Sequence, residues 1–350
     1  MDKNTNIYRA LDRILYFSPG VNFLYDIGIF LLRGVLGLLA LFNEKINRFL
    51  TGRKSTFENL EKAIKKGDRT LWFHCASLGE FEQGRPVIEA LSARNPDYKI
   101  VLTFFSPSGY EVQKNYTLAD AVVYLPLDTR KNAKKFLEVV HPALAVFVKY
   151  EFWPNILNEL KNQEIPTYLI SGIFREDQIF FKRYGGWMRK VLLGFTHFFV
   201  QNSHSLSLLK TLGIQEATLS GDTRFDRVYS LLEKDNTLPF LKDFTSGRTT
   251  IVAGSTWPKD EELLTDFIND CKLDEVAFII APHQMDPTRF QKLKESINKK
   301  SLLYSEGVPD KDIRVFIVDT IGLLTKIYSY ADVSYVGGGF DREGVHNVLE

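Results

Sequence analysis

The sequence contains only two cysteines, Cys75 and Cys271, which are far apart in the chain. This pattern excludes a disulfide framework and favours a reducing compartment, with both thiols buried. The six histidines show no HxxxH pattern and no His/Cys cluster at ligand spacing, so the sequence predicts no metal site and no cofactor. It also lacks a G-x-S-x-G elbow, a Walker A loop and the dinucleotide fingerprint, which leaves these functional classes without support.

Charge of either sign is not in excess, because 44 basic residues face 43 acidic ones and the formal net charge is +1. No global field recruits nucleic acid, and basic residues are not interleaved with aromatic ones along any element, so we expect no nucleic-acid partner. The first 54 residues differ, with eight basic against four acidic residues. That imbalance predicts a local patch that binds an anionic surface.

A long uninterrupted apolar run is missing as well. The longest apolar segment, Ile27 to Asn43, carries Arg33 in its middle and is shorter than the roughly 20 residues of a clean membrane span. An apolar helix with flanking basic residues lies in the headgroup region of an anionic membrane. We therefore expect a membrane-associating helix, although a core helix of the first domain fits a short apolar run equally well.

After Arg53, short apolar runs alternate with segments of helical period, which is the βαβ signature. Nearly continuous apolar strands such as "LAVFV" indicate parallel sheets covered on both faces. The predicted strands are Leu71–Ala76, Ile100–Phe105, Ala121–Leu125, Leu144–Val148, Thr167–Ile170, His197–Val200, Ala217–Leu219, Thr249–Ala253, Ala277–Ala281, Arg314–Val318 and Val333–Val336. The predicted helices are Phe81–Ser92, Arg130–Val139, Asn155–Asn162, Ser203–Leu212 and segments after Pro258, Pro287 and Thr320.

A charge-rich segment without a strand, Arg227 to Arg248, is the predicted linker between two such alternations. Two doubly wound sheets in tandem imply two Rossmann-like domains that face each other across a cleft. Open α/β sheets bind ligands at the carboxyl ends of their strands, so the loops there should carry the function.

Glu80 stands in one of these loops, at the start of a predicted helix. On position alone it is a helix-terminus stabiliser, worth about 0.3–1 kcal/mol. The small residues Ser77 and Gly79 beside it leave room for a substrate hydroxyl, as a general base requires. We expect the helix terminus to keep this acid ionised near neutral pH.

Other loops after strands carry polar or flexible residues. "SPSG" (Ser106 to Gly109) is either an ordinary turn or a donor of hydrogen bonds, and "GSTW" (Gly254 to Trp257) has the same character. "KYEFWPN" places Glu151 just past an apolar strand, with Trp153 read as a core residue. The triplet Gly337 to Gly339 before a predicted helix is a weak signal for a phosphate or carboxylate site.

Taken together, the segments resemble the 3-deoxy-D-manno-octulosonic acid (Kdo) transferases, which are GT-B glycosyltransferases. The resemblance extends over nearly the whole chain. It rests on the order and spacing of "GRK", "HCASLGE", "RPVIEAL", "SPSG", "YLPLDT", "EFWPN", "VQN", "GDTRFD", "AGSTWPKDEE", "DTIGLL", "YADVSYVGGG" and "HNVLE".

The resemblance implies an inverting transfer of Kdo from CMP-Kdo to the lipid A precursor, lipid IVA, at the cytoplasmic face of the inner membrane. Glu80 is then the base, Glu151 a second acid, and Arg224 a cation for the departing phosphate. The implied acceptor contacts are Ser77, Gly79, Ser106, Ser108 and Arg175. The implied CMP contacts are Ser255, Thr256, His283, Gln284, Gly322, Gly338, Gly339, His346, Asn347, Leu349 and Glu350.

The implied domains are an anchor and lead-in (1–54), an acceptor domain (55–228) and a donor domain (229–350) that is truncated relative to the family. The sequence departs from the family at three motifs: Pro-Arg-His reads Pro282-His283-Gln284, Met-Gly-Glu reads Ile321-Gly322-Leu323, and the first acid of Glu-x-Glu is Lys149. The alternatives are a GT-B transferase or epimerase with another nucleotide sugar, and a lipid-binding protein that retains the fold without activity.

Overall fold

The computed structural model describes residues 19–233, 235–340 and 349. The chain divides into two compact units, Met1–Asp226 and Arg227–Glu350. Both are α/β units built on one parallel sheet.

The described part of the first unit contains seven strands. They are β1 (Arg69–Cys75), β2 (Tyr98–Phe104), β3 (Ala121–Tyr124), β4 (Pro142–Val148), β5 (Thr167–Gly172), β6 (His197–Val200) and β7 (Ala217–Leu219). Its helices are α1 (Pro19–Leu39), α2 (Glu44–Gly52), α3 (Thr56–Ala63), α4 (Leu78–Arg94), α5 (Pro107–Gln113), α6 (Arg130–Val140), α7 (Pro154–Asn162), α8 (Gly186–Leu192) and α9 (Ser203–Thr211), with 3₁₀ turns at Arg53–Ser55 and Ile179–Phe181. Helix α10 (Arg224–Leu232) begins in the first unit and ends in the second. The strand order is β3-β2-β1-β4-β5-β6-β7.

The sheet of the first unit is covered on both faces, as its continuous apolar strands predict. Phe81 and Ile88 of α4 pack on one face, against strand residues that include Phe104. Phe136 of α6 and Leu157 of α7 pack on the other. Cys75 is buried in the first of these layers, whereas Cys271 is partly exposed, so the expectation of two buried thiols holds only for Cys75.

The second unit contains β8 (Thr249–Thr256), β9 (Val276–Pro282), β10 (Ser301–Leu303), β11 (Val315–Ile317) and β12 (Val333–Val336). Its helices are α11 (Lys242–Thr245), α12 (Pro258–Asp270), α13 (Pro287–Ser296) and α14 (Leu324–Ile327), with 3₁₀ turns at Pro239–Leu241, Tyr304–Glu306 and Tyr328–Tyr330. The strand order is β10-β11-β9-β8-β12. Strand β10 was not predicted, and the helix expected after Thr320 is a single turn.

The predicted linker is wrong for most of its length. Its first residues continue α10, and Leu238, Leu241 and Phe244 are buried in the core of the second unit. Because these three apolar residues stand among charged ones, the sequence shows no apolar run and the segment resembles a linker.

Helix α1 leaves most of its apolar residues exposed, including Phe30, Leu31, Val35 and Leu38. Among the described residues, no helix combines the length and apolar character that crossing a bilayer requires. The structure therefore shows an exposed apolar helix and leaves its membrane association as a proposal.

Polar bonds attach α1 to the body of the first unit. Buried Asp128 accepts hydrogen bonds from the Tyr25 hydroxyl (2.9 Å) and from the backbone N–H groups of Asn155 (3.0 Å) and Ile156 (2.9 Å). The Asn155 amide donates to Asp26 (2.8 Å) and to the Asp128 carbonyl (2.7 Å), and Arg130 pairs with Asp26. Burial raises the pKa of Asp128 to about 6, despite these donors. We call Tyr25, Asp26, Asp128, Arg130 and Asn155 the Asp128 cluster.

Tyr25→Phe should loosen α1 without altering the sheet, because it removes one hydrogen bond to a buried carboxyl. A bond of this kind contributes about 1–2 kcal/mol, so hydrogen exchange in Phe23–Leu39 should become about tenfold faster or more. Tyr184→Phe, at an exposed tyrosine, is the matched control. Equal exchange in α1 for the two variants would contradict the role of the cluster.

Candidate functional site

The strand order of the first unit places two sequence-predicted acids at one position. The chain builds outward from β1 through β2 to β3 on one side, and from β4 to β7 on the other. The order therefore reverses between β1 and β4, and ligands bind at the carboxyl ends of strands at such a switch point. Glu80 follows β1 and Glu151 follows β4.

Glu80 is the third residue of α4 and is 9% exposed. Its Oε2 accepts a hydrogen bond from the backbone N–H of Ala76. The backbone N–H of the N-cap residue Ser77 also bonds to the carboxyl, as in a capping box. The helix-terminus role is thus present. It does not exclude a chemical role, since both follow from a carboxyl placed at this turn.

The charge state expected for Glu80 is wrong. Burial, which is the largest effect, and the negative charge of Glu151 both raise the pKa of Glu80, whereas the N–H donors lower it. Together they raise the pKa of Glu80 from 4.5 to about 7, although Ala76, Ser77 and Lys149 favour the ionised form. Near neutral pH the carboxyl is therefore divided between its two forms, which is the condition that suits a general base.

Glu151 is 8% exposed and is held by two side chains. Its Oε2 lies 2.9 Å from His74 Nε2 and accepts a hydrogen bond from Trp153 Nε1 at 2.7 Å. Trp153, predicted to be a core residue, is only partly buried and uses its indole N–H in this bond. The geometry fixes Glu151 at the start of the loop that leads into α7.

One cation, Lys149, acts on Glu80, and two more, Arg224 and Arg175, act on Lys149. Lys149 adopts the left-handed backbone region (φ 69°), and burial together with the charges of Arg224 and Arg175 lowers its pKa. Lys149 Nζ and Arg175 Cζ lie 5.1 and 5.3 Å from the centre of the Tyr150 ring. The first acid of the family's Glu-x-Glu motif is thus replaced by a positive charge, while Glu151 keeps the second.

Arg224 is fixed by its own loop and by α4. Its guanidinium donates to Asp222 Oδ2 at 2.9 and 2.6 Å. The same loop bonds to α4, because Thr223 Oγ1 donates to the Gln83 carbonyl (2.5 Å) and the Gln83 amide donates to Asp222 (3.3 Å). Part of the Arg224 charge is therefore balanced by Asp222.

The predicted acceptor loops meet at the same edge of the sheet. Ser106 N–H donates to the Ala76 carbonyl (2.8 Å), and the hydroxyls of Ser106 and Ser108 are 2.7 Å apart. Ser77 is partly exposed and Gly79 is exposed. The structure thus brings Ser77, Gly79 and Ser106 together beside Glu80.

The second unit has its own switch point, between β8 and β12. Ser255 lies near the end of β8 in the left-handed region (φ 52°), and the glycine triplet follows β12. A Cβ on Gly337 would lie 2.5 Å from the Ser255 carbonyl oxygen, so only glycine allows this approach. The Gly338 N–H donates to buried Asp260 (2.9 Å), and this amide is therefore engaged within the protein rather than open to a phosphate.

The structure corrects the predicted contact of Thr256 with CMP. It is fully buried, and its hydroxyl donates to Glu261 (3.0 Å), which forms a bidentate pair with Arg289 (3.0 and 2.6 Å). We therefore assign the Thr256 side chain to the interior.

His283 and Gln284 are exposed. The His283 ring stacks on Trp257 with ring centres 5.0 Å apart, and the Gln284 Oε1 accepts a hydrogen bond from Arg289 (3.1 Å).

The remaining predicted donor contacts are described only in part. Gly322 is exposed with φ 93°, a backbone conformation that requires glycine, and Gly339 is exposed. Leu349 is partly exposed in a turn. His346, Asn347 and Glu350 lie outside the described residues.

Sequence reasoning missed His74, Asp222 and Arg289, which hold Glu151, Arg224 and Glu261 respectively. The signal for His74 was a titratable residue near the end of an otherwise apolar strand. Asp222 stood in the quoted "GDTRFD" segment. Within residues 19–233, 235–340 and 349, no three His, Cys, Asp or Glu side chains are grouped to hold a metal ion.

Comparison with solved structures shows the fold. A UDP-GlcNAc 2-epimerase from Neisseria meningitidis bound to UDP-GlcNAc superposes with a TM-score of 0.51 at 16% identity, over 76% of each chain. The protein thus has a two-domain α/β fold with parallel sheets, similar to that of GT-B enzymes.

Comparison of sequences shows the family. A bifunctional glycosyltransferase/methyltransferase of Fusobacterium nucleatum is 28% identical over 88% of this chain and 49% of its own length. A 3-deoxy-D-manno-octulosonic acid transferase of Rickettsia felis is 28% identical over 80% of this chain and 61% of its own length. The chain thus spans about half to three fifths of these relatives. The family model described as 3-deoxy-D-manno-octulosonic-acid transferase (kdotransferase) matches residues 48–227, and the chain belongs to this family of glycosyltransferases.

Proposed function

We propose that the protein transfers Kdo from CMP-Kdo to the lipid A precursor, lipid IVA, with inversion at the anomeric carbon. The observation that carries this proposal is the placement of Glu80, which lies at a switch point beside Glu151 with a pKa of about 7. Family membership supports the donor sugar. The first unit supplies the acceptor site, and the second unit supplies the donor site.

Glu80 acts as the general base in this proposal. Its ionised carboxyl accepts the proton of a glucosamine hydroxyl while that oxygen forms a bond to the anomeric carbon of Kdo. The bond from that carbon to the phosphate oxygen breaks on the opposite face, and CMP departs with the electron pair. Positive charge on Arg224 and Lys149 favours the negative charge that grows on the leaving phosphate.

The acceptor is a lipid, which agrees with the exposed apolar residues of α1. We infer that the protein works at the cytoplasmic face of the inner membrane, where an anionic leaflet attracts basic residues near the N-terminus. The Asp128 cluster then holds α1 at a defined position against the rest of the first unit.

Glu80→Gln should lower the transfer rate by about 10²- to 10⁴-fold and leave CMP-Kdo binding intact, because the amide cannot accept the proton. Mass spectrometry of a tetra-acylated lipid A precursor incubated with CMP-Kdo measures the transfer and counts the added sugars. Glu89→Gln, at an exposed position of the same helix, is the matched control.

Wild-type turnover by Glu80→Gln would remove Glu80 as the base. Transfer from UDP-GlcNAc or a GDP-sugar, with none from CMP-Kdo, would instead identify a transferase or epimerase with another donor. Binding of the lipid without any turnover of the wild-type protein would support the non-enzymatic alternative.

The raised pKa of Glu80 also predicts how stability depends on pH. Because the folded pKa of about 7 lies above the ordinary 4.5, the favourable contribution is complete below about 4.5 and is lost as pH rises through 7. The stability of the wild type relative to Glu80→Gln should therefore fall by about 2–3 kcal/mol between pH 5 and pH 8.

Urea unfolding of both proteins at each pH measures this difference. Glu89→Gln should show no such pH-dependent change relative to the wild type. A flat difference for Glu80→Gln would mean that the folded protein does not raise the proton affinity of this carboxyl.

A triple substitution of exposed apolar residues, Phe30→Asp, Leu38→Asp and Phe42→Asp, should weaken binding to vesicles of phosphatidylglycerol and phosphatidylethanolamine about tenfold or more, because it removes apolar area and adds negative charge. Co-sedimentation measures the binding. The matched control places the same charges at Phe267, Leu273 and Val308, which are exposed in the second unit. Equal loss in both triple variants would contradict a membrane role for α1 and the turn that follows it.

A further inference from the structure

His74 is a fully buried titratable residue that the proposed reaction does not use. It lies on β1, opposite Thr103 of β2 and Phe147 of β4. Its two ring nitrogens have different partners: Nδ1 is 2.9 Å from Thr103 Oγ1, and Nε2 is 2.9 Å from Glu151 Oε2. The imidazole therefore connects the interior of the sheet to the second acid of the site.

The partners of Thr103 and Glu151 indicate where the protons lie. The Trp72 indole can only donate, and its Nε1 is 2.9 Å from Thr103 Oγ1, so this oxygen accepts a bond there. The Thr103 hydroxyl has one proton and two acceptors within reach, His74 Nδ1 at 2.9 Å and the Phe73 carbonyl at 3.2 Å. Donation to the nearer acceptor, His74 Nδ1, leaves the ring proton on Nε2. That proton points to Glu151 Oε2. The Trp153 Nε1 lies 2.7 Å from the same oxygen and 3.3 Å from His74 Nε2, so its N–H donates to the nearer carboxylate.

Two N–H donors on one buried carboxylate oxygen fix its position. We propose, on the basis of the proposed function, that His74 is a positioning residue that holds Glu151 in place beside the base Glu80. The imidazole does not touch substrate. It acts through Glu151, whose negative charge makes Glu80 a stronger base.

The charges that act on Glu80 support this chain of effects. Glu151 raises the proton affinity of Glu80, while Lys149 and the N–H groups of Ala76 and Ser77 lower it. Loss of the His74 donor should let the Glu151 carboxylate move away from Glu80. Glu80 then faces less negative charge, and its pKa should fall.

The experiment compares His74→Phe, which fills the space without a donor, with His74→Gln, which keeps an amide donor. The acid limb of the pH–rate profile is its rise on the low-pH side. His74→Phe should move this limb to lower pH by about one pH unit and lower kcat, with little change in KM for CMP-Kdo. His74→Gln should retain the wild-type limb. His197→Phe removes another sheet imidazole bonded to a threonine hydroxyl and should leave the limb unchanged.

Addition of His74→Phe to a Glu151→Gln protein should move the limb no further, because the two substitutions act through one charge. An unchanged limb in His74→Phe, or an equal further shift in the Glu151→Gln background, would overturn the proposal. A purely structural role of His74 would lower the rate without moving the limb.

A second measurement needs no substrate. The pH at which the stability of the wild type changes relative to Glu80→Gln reports the titration of Glu80, and it should be lower when both proteins carry His74→Phe. If the wild type transfers no Kdo, the proposed function fails, yet these unfolding curves still test the action of His74 on Glu80. An identical titration in both backgrounds would refute that action.

The wild-type protein alone provides a third measurement if His74→Phe does not fold. NMR of ¹⁵N-histidine, with the His74 signal assigned by its loss in His74→Gln, identifies the protonated ring nitrogen. We expect the ring proton on Nε2. An unprotonated Nε2 would refute the proposal, because His74 would then have no N–H to hold Glu151.

Discussion

The adjacency of β1 and β4 in the first sheet is the constraint on which the site depends. Parallel strands end at the same edge, so Glu80 after β1 and Glu151 after β4 share one small region. Two carboxyls with little access to water repel each other when both are ionised. The structure distributes this cost unequally, since Glu151 accepts the Trp153 N–H and contacts His74 Nε2 at 2.9 Å, whereas burial and the charge of Glu151 raise the pKa of Glu80.

Much of this arrangement follows from local sequence patterns. Continuous apolar runs such as Leu144–Val148 identify buried parallel strands, and the residues after them are the ones that a doubly wound sheet brings to a ligand. Glu80 and Glu151 are found in this way. The charge state of Glu80 is not, because it depends on burial and on a neighbour far along the chain. The local sequence shows only that Glu80 stands at the N-terminus of a helix, which favours the ionised carboxylate.

Failures elsewhere have similar causes. Strand β10 is a three-residue segment that directly follows Lys299 and Lys300, and its pairing with β11 identifies it. Leu241 and Phe244 stand among charged residues, so their burial depends on the sheet that they cover. In the glycine triplet, the pattern indicates flexibility and open amides. The structure instead uses Gly337 for a close backbone contact and bonds Gly338 to Asp260.

The attachment of α1 connects the exposed apolar surface to the site. Asn155 belongs to the first turn of α7, which begins three residues after Glu151. The Asn155 side chain bonds to Asp26 of α1, and its backbone N–H bonds to Asp128, which also holds Tyr25. Helix α1 therefore cannot shift on the first unit without breaking bonds to the turn that follows the Glu151 loop. Since Trp153 lies between Glu151 and Asn155 and donates to that carboxylate, the position of α1 and the geometry of the second acid depend on one short segment.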